Sequence, residues 1–500
     1  RNTAVGSGAL DANTTGDDNI AVGRNSLGAN TTGYRNVSMG RGSMMANTTS
    51  SHNTAVGAYT LSSQTTAGDA NVAMGYGALY SNSTGDNNVG IGNSALVNNT
   101  TASYNTALGF KSLSTNTTGA YNVAVGSNAL DANTTGNYNS AVGHASLTSN
   151  TTGSYNTALG LTALENNSTA SSNTGIGYAA LNANTTGDNL VAVGDRALTS
   201  NSTGTMNTGI GVQAGTNTTT GSANTSVGMQ ALFTNTTGGA NTAIGKDALR
   251  ANTTASDNTA VGKDCLTANT TGANNTGVGA MTLESNTTGT RNVAIGNYAL
   301  DASSTANDNV AIGYEALTDN TNGYSNIVLG SYAHSNNTGG YQNVVLGYQA
   351  MQAASTVHNS VVVGHQAMFT HTGTGNEGNV CVGHASGYSE TSGYNNVFVG
   401  YNSGFDITTG TANTFIGYQS GYTSTTGNYN ICVGRRAVPS SNTASNECTL
   451  GDDNITSLRC NDTSISSLSD RRDKTDIIDL PVGLDFLNTL QPRQFKWQTR

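Results

Sequence analysis

In the stretch S-L-S-D-R-R-D-K, residues 467–474, a serine hydroxyl and a lysine amine stand five residues apart. The hydroxyl of Ser469 is a poor nucleophile until a base takes its proton. A lysine desolvated by its surroundings, as Lys474 would have to be, is neutral enough to serve as that base. Five residues allow one turn to bring the two side chains together. The same residues also suit a charged helix start, with Ser469 as N-cap and Asp473 in the first turn. On the local residues alone, both readings stand.

The other candidates are arrayed rather than clustered, so the elements that hold them come first. Counting from the residue, usually Asn, that opens each N-x-[AG]-[VIL]-G unit gives positions 2, 19, 36 and 53, then 71, 88, 105 and 122. The register of 17 continues to 343, slips by two residues between 360 and 379, and reaches 447. A period this regular means one structural turn per repeat. The consensus is N-T-A-V-G-x-x-A-L-x-x-N-T-T-G-x-x, numbered here as slots 1–17. Apolar residues alternating around slots 2–4 predict a short strand. Gly at slot 5 and N-T-T-G at slots 12–15 are expected to turn the chain through left-handed backbone conformations. Seventeen residues are too few for a helix, a strand and two turns, but they fit one coil of a parallel β-solenoid. The aliphatics of slots 4 and 9 are expected to fill the core of each coil. At about 4.8 Å per coil, 26 coils make a rod on the order of 125 Å long.

On this frame Tyr104, Tyr121, Tyr138 and Tyr155 share slot 17 of four consecutive coils and should stack in a column. Such a ladder can simply cover the sheet, or it can form a glycan-binding stripe, since amphipathic rings serve well at surfaces. His365 and His384 share slot 6 and are read as exposed histidines rather than metal ligands. The N-T-T asparagines, such as Asn13, Asn133 and Asn252, fit the glycosylation acceptor pattern but are read as solenoid corners. In the last coils, S-G-aromatic replaces A-L, placing Tyr388, Phe405 and Tyr422 one slot later while slot 3 becomes Cys381, Phe398, Phe415 and Cys432. That change predicts a wider core over 379–434.

Composition divides the chain in two. Charged residues are 10% of the whole, yet all three prolines (Pro439, Pro481, Pro492) and the single Trp497 lie near the C-terminus. A formal net charge of −10, without a basic patch, excludes a nucleic-acid partner. No run of 18 apolar residues suggests membrane insertion. The five cysteines show no zinc-like spacing, and no metal or cofactor is expected. The chain opens at Arg1 rather than Met and is read as a fragment.

The units N-T-A-V-G-S-G-A-L, N-V-A-V-G-S-N-A-L and N-V-A-I-G-N-Y-A-L resemble the head repeats of YadA-like trimeric autotransporter adhesins. That resemblance implies a left-handed β-roll with three chains side by side, although the period here is longer. The stretch L-S-D-R-R-D-K-T-D-I-I-D-L-P-V-G-L-D-F-L-N-T-L-Q-P-R-Q-F-K-W resembles the opening of the endosialidase-type intramolecular chaperone domain of phage tail spikes and fibres. Ser469, Asp470, Arg472 and Lys474, then Leu490, Pro492, Phe495 and Trp497, fall on its pattern. The resemblance implies an α/β chaperone that assembles a trimer and then releases itself. Ser469 and Lys474 are implied as the catalytic pair, with the cut between Ser469 and Asp470.

The expectation is therefore an all-β trimeric fibre. A parallel β-solenoid shaft spans residues 1–451, a connector 452–468, and the start of the chaperone 469–500. Its role is that of a virion tail fibre or spike, a structural and receptor-binding homotrimer. Its partners are itself and a host cell-surface glycan, and self-cleavage is its only enzymatic step. The alternative is a bacterial trimeric surface adhesin.

Overall fold

The structure, a computed structural model, describes residues 1–457 and Arg459. The chain divides into two units, Arg1–Asp452 and Asp453–Arg500. The first is a parallel β-solenoid, and its residues supply every observation below.

Every coil contributes one three-residue strand, from Thr3–Val5 through Val123–Val125 to Cys448–Leu450, and these form a single 27-stranded sheet. All pairings are parallel and in register, so each slot lies against the same slot of the next coil, as in Val123↔Ser140, Ala124↔Ala141 and Val125↔Val142. Strand residues alternate in direction. The small middle residue of slot 3 therefore points inward, and slots 2 and 4 point out. Ala124, Ala129 and Leu130, in slots 3, 8 and 9, are fully buried.

This corrects the expected core. Leu in slot 9 is buried, but the aliphatics of slot 4 stand on the outer face. Leu159 is 46% exposed, Leu329 47% and Ile295 39%. Most coils thus enclose one large side chain, not two, although a few, such as the coil with Val345 and Met351 both buried, enclose more.

The backbone explains the sorting of residue types. Slot 5 glycines such as Gly126 (φ 138°) lie where only glycine is comfortable, and a Cβ there would sit 2.3 Å from the Gly143 carbonyl oxygen. The other left-handed residues fall at slots 7, 9 and 17, as at Asn128 (φ 56°), Leu130 (φ 55°) and Tyr138 (φ 56°). They do not fall at the N-T-T-G corner, contrary to expectation. Left-handed backbone is a true outlier for β-branched residues. Slot 9 accordingly holds Leu, Met, His or Gly from Leu10 to Gly421, while slot 4 is free to use Val and Ile.

The N-T-T-G corner is shaped instead by asparagine amides. In coil 122–138 the side-chain amides of Asn122 (slot 1) and Asn133 (slot 12) both donate to the Gly136 carbonyl, at 2.9 and 3.0 Å. Asn133 also donates to Asn116 Oδ1 at 2.8 Å, and the Asn122 backbone N–H donates to Asn105 Oδ1 at 2.9 Å. Both asparagines are fully buried. The amide nitrogen that a glycan would need at Asn133 is inside the solenoid and already bonded. Slot 15 prefers glycine for space: a Cβ on Gly136 would lie 2.3 Å from the Gly153 oxygen.

The last coils keep the core volume by exchanging it across the coil. Phe398 and Phe415 enter slot 3, while Gly404 and Gly421 vacate slot 9. A Cβ on Gly421 would come within 2.1 Å of the Phe415 ring. The core there is re-partitioned rather than widened.

A volume-neutral swap tests the role of the left-handed slot. Leu147→Ile should destabilise the shaft by about 1–3 kcal/mol, the scale of a strained backbone position. Val142→Ile, on the neighbouring outward slot, should leave denaturant unfolding unchanged. Equal melting of the two variants would refute the backbone explanation.

Candidate functional site

The sequence-derived candidates separate into two groups. Ser469, Asp470 and Lys474 lie outside the described residues. The tyrosine column lies within them. Tyr104, Tyr121, Tyr138 and Tyr155 stack with ring centroids 4.9, 5.0 and 5.2 Å apart and planes within 7° of parallel. All four have left-handed backbone, and they remain 48–63% exposed. Their slot-16 neighbours are engaged along the shaft: Ala120 N–H donates to Asn137 Oδ1 at 2.8 Å, and Asn137 N–H to Ser154 Oγ at 3.0 Å. The column therefore presents the edges and partly uncovered faces of offset rings, with phenol hydroxyls, and its flanking polar groups are already used.

His365 and His384 also stack, at 5.1 Å and within 2° of parallel, and both are exposed. Cys265, Cys381 and Cys432 are buried thiols. Burial pushes Cys265 up to about 12 and Cys432 up to about 11, and raises Cys381 as well, so none is a ready nucleophile.

A group of buried ionisable residues was not anticipated. Slot 12, Asn in most coils, holds no Asn after Asn337: it becomes Ala354, then His371 and Glu390, which flank the two-residue insertion near Glu377, then Ile407 and Ser424. His371 Nε2 lies 2.5 Å from Glu377 Oε2, and His371 Nδ1 lies 4.0 Å from Glu390 Oε2. Burial raises the Glu390 carboxyl well above its ordinary range, although the Asn396 amide, 2.7 Å away, opposes the shift. One coil pair upstream, His334 replaces Leu in slot 9. It is fully buried, contacts the Met351 carbonyl through Nδ1 at 3.3 Å, and has no partner for Nε2. Burial, with a contribution from His371, lowers His334 to about 4, so it is neutral at pH 7. The visible signal was the substitution of ionisable residues at slots 9 and 12, which reads as core only once those slots are known to face inward.

The extreme C-terminus carries the comparison with known proteins. Residues 469–500 match the family described as the chaperone of endosialidase. No curated protein matches the chain. That match, together with a solenoid of 17-residue coils, is consistent with a phage tail fibre or endosialidase-type protein. No helix among the described residues is long and apolar enough to cross a membrane.

The state of His334 gives a pH test. Unfolded, the imidazole takes up a proton below about 6.5, whereas folded it does so only near 4. The unfolded chain therefore binds more protons between these values, and stability falls as pH drops from about 6.5 toward 4. Glu390 acts in the opposite sense, so the difference between wild type and His334→Leu isolates the histidine. His334→Leu should gain on wild type by up to about 3 kcal/mol across that window, read from melting at a series of pH values. Parallel pH profiles would refute the buried neutral histidine.

Proposed function

We propose that this protein is the shaft of a phage tail fibre, a structural and receptor-binding homotrimer matured by a self-cleaving C-terminal chaperone. The observation that carries the reading is the outward stripe of slot 4, which runs the length of a solenoid whose chain continues into the chaperone match. In that stripe, aliphatic residues recur in coil after coil, with slot 2 adding Ile20, Val123, Val191 and Ile327. A soluble monomer ordinarily shows apolar patches of roughly 300–600 Å². A stripe repeated along the whole shaft exceeds that and suits two further copies of the same chain.

In this reading residues 1–451 form the shaft, 452–468 connect, and 469–500 begin the chaperone. Lys474 takes the proton of the Ser469 hydroxyl, and the oxygen attacks the carbonyl carbon of the Ser469–Asp470 peptide bond; the Asp470 amine leaves carrying that proton from Lys474, and water hydrolyses the resulting ester. Desolvation of Lys474 in the assembled site keeps it neutral and couples cutting to assembly. Removal of the chaperone then leaves the shaft kinetically trapped. Receptor contact, with a cell-surface glycan as ligand, falls to the exposed aromatic columns, among them Tyr104, Tyr121, Tyr138 and Tyr155.

Light scattering after size exclusion should give three times the monomer mass. The combined change Ile244→Glu, Val261→Glu and Val278→Glu should reduce it to one. A wild-type chain that is a stable monomer would overturn the fibre reading.

In the full-length gene product, Ser469→Ala and Lys474→Ala should leave an uncleaved trimer that heat and detergent disassemble more readily. Arg471→Ala should be cleaved normally. Processing of Ser469→Ala at the same bond would assign the cut to another protease.

A further inference from the structure

Slots 6 and 7, just past the glycine turn, carry a second aromatic array much longer than the tyrosine column. Tyr348, His365, His384, Tyr401 and Tyr418 occupy slot 6 of five consecutive coils. Their ring centroids are 5.3, 5.1, 4.9 and 5.4 Å apart, with planes within 26° of parallel. The Arg435 guanidinium closes the row 6.0 Å from the Tyr418 centroid. Upstream, Tyr298, Tyr314 and Tyr332 continue it as an edge-to-face zigzag, at 6.2, 5.4 and 6.1 Å. Eight successive coils thus present a continuous aromatic ridge, and Tyr314, Tyr348, Tyr401 and Tyr418 are each 41–46% exposed.

Two features indicate what such a ridge would hold. Aromatic rings in contact at ~3.5–4 Å between carbons, with centroids about 5 Å apart, are displaced sideways like roof tiles. Part of each ring face is therefore uncovered, and the zigzag rings, near perpendicular to their neighbours, uncover more. Beside the rings slot 7 holds two pairs of amides, Gln349 with Gln366 and Asn402 with Gln419, separated by Ala385. Gln366 Nε2 donates to Gln349 Oε1 at 2.9 Å, and Arg436 Nε donates to Gln419 Oε1 at 3.0 Å. The Gln349 and Gln419 amide nitrogens have no hydrogen-bond partner among the described residues. Between Tyr348 and Gln419, slots 6 and 7 contain no Lys, Arg, Asp or Glu.

We propose that this ridge is a binding rail for an uncharged, extended polysaccharide. The C–H faces of successive sugar rings lie on the uncovered aromatic faces, and their hydroxyls bond the slot-7 amides. A nucleic-acid strand would also stack on aromatics, but it requires basic groups along the rail, and these are absent. An acidic glycan would meet no countercharge until Arg435 and Arg436 at the far end. Amides meet hydroxyls as both donor and acceptor without charge, so the stacked stretch from Tyr348 to Gln419 matches a neutral polyol in charge as well as in shape, with Glu315 of slot 7 lying upstream of it. The inference deepens the receptor-binding part of the proposed function, naming its ligand class and its place on the shaft.

The fold itself supplies a safe substitution. Slot 6 holds Asn93, Ser127 and Asn297 in other coils with the same turn, so Tyr401→Asn and Tyr418→Asn should fold. The full chain would be titrated calorimetrically with cellohexaose, chitohexaose and dextran as probes. Wild type should bind at least one of them, and the double variant should lose at least about tenfold in affinity. Assembly mass and melting should stay unchanged, and Met229→Asn, a slot-6 change far from the ridge, should bind like wild type. Failure of wild type to bind any probe, or equal binding by the double variant, would overturn the rail. Loss of assembly in the double variant would also overturn it, by making the ridge a contact between chains. A monomeric wild type that still binds would sink the fibre reading and leave the rail standing, so the two failures are distinguishable.

Discussion

The fold rests on one buried hydrogen-bond unit, the pair of asparagine amides that grips the slot-15 carbonyl in most coils. Gly33 O accepts from Asn19 at 2.8 Å and from Asn30 at 3.0 Å, and Gly136 O accepts from Asn122 and Asn133 in the same way. A solenoid this thin has little apolar core, so closing each coil falls to polar groups that water cannot reach. A buried amide left unpaired costs about 1–3 kcal/mol. Each asparagine therefore commits its neighbours, because its oxygen is the acceptor for the next coil. That reciprocity makes the ladder cooperative and keeps each slot aligned with the same slot of the next coil, even across the 18-residue coil where Asn71 N–H donates to Asn53 Oδ1 at 2.8 Å.

Once the coil is closed by amides, its remaining features follow from space and backbone. In most coils the closed interior holds one large side chain, the slot-9 residue, and it sits on a left-handed backbone. Leucine can adopt it and valine resists it. The β-branched residues are accordingly displaced to the outer face of the strand, where they are half-exposed. The stripe of apolar surface on the outer face is therefore a consequence of how the coils close. The same economy explains the C-terminal coils, where phenylalanine can enter slot 3 only because glycine has emptied slot 9.

Irregularity is concentrated between residues 334 and 390. The asparagine ladder stops there, a two-residue insertion adds the short pairing of Thr356–His358 with Thr374–Asn376, and His371 is buried against two carboxylates. The aromatic ridge runs across the same coils on the outside. A shaft built from one unit changes its interior and its surface together, and chemistry is best sought where the repeat is broken.

The period, the strand at slots 2–4, the stacking of same-slot residues such as Tyr104 and Tyr121, and the change of character beyond residue 379 are all readable from the order of residues. These are legible because a repeat superimposes each slot on itself, so a column can be read from spacing alone. The resemblance of residues 469–500 to a chaperone was legible too, because it rests on a linear motif. Which residues face inward emerges only in the folded coil. Val125 and Leu130 are equally apolar as letters, and the left-handed turns between them send one outward and the other into the core. Nor does the sequence distinguish an asparagine that turns a corner from one that is buried and bonded, as Asn133 is. The aromatic ridge escaped for a related reason: its residues alternate between slots 6 and 7 and mix Tyr with His. Such a set becomes a single surface only after the glycine turn has brought both slots to the same edge.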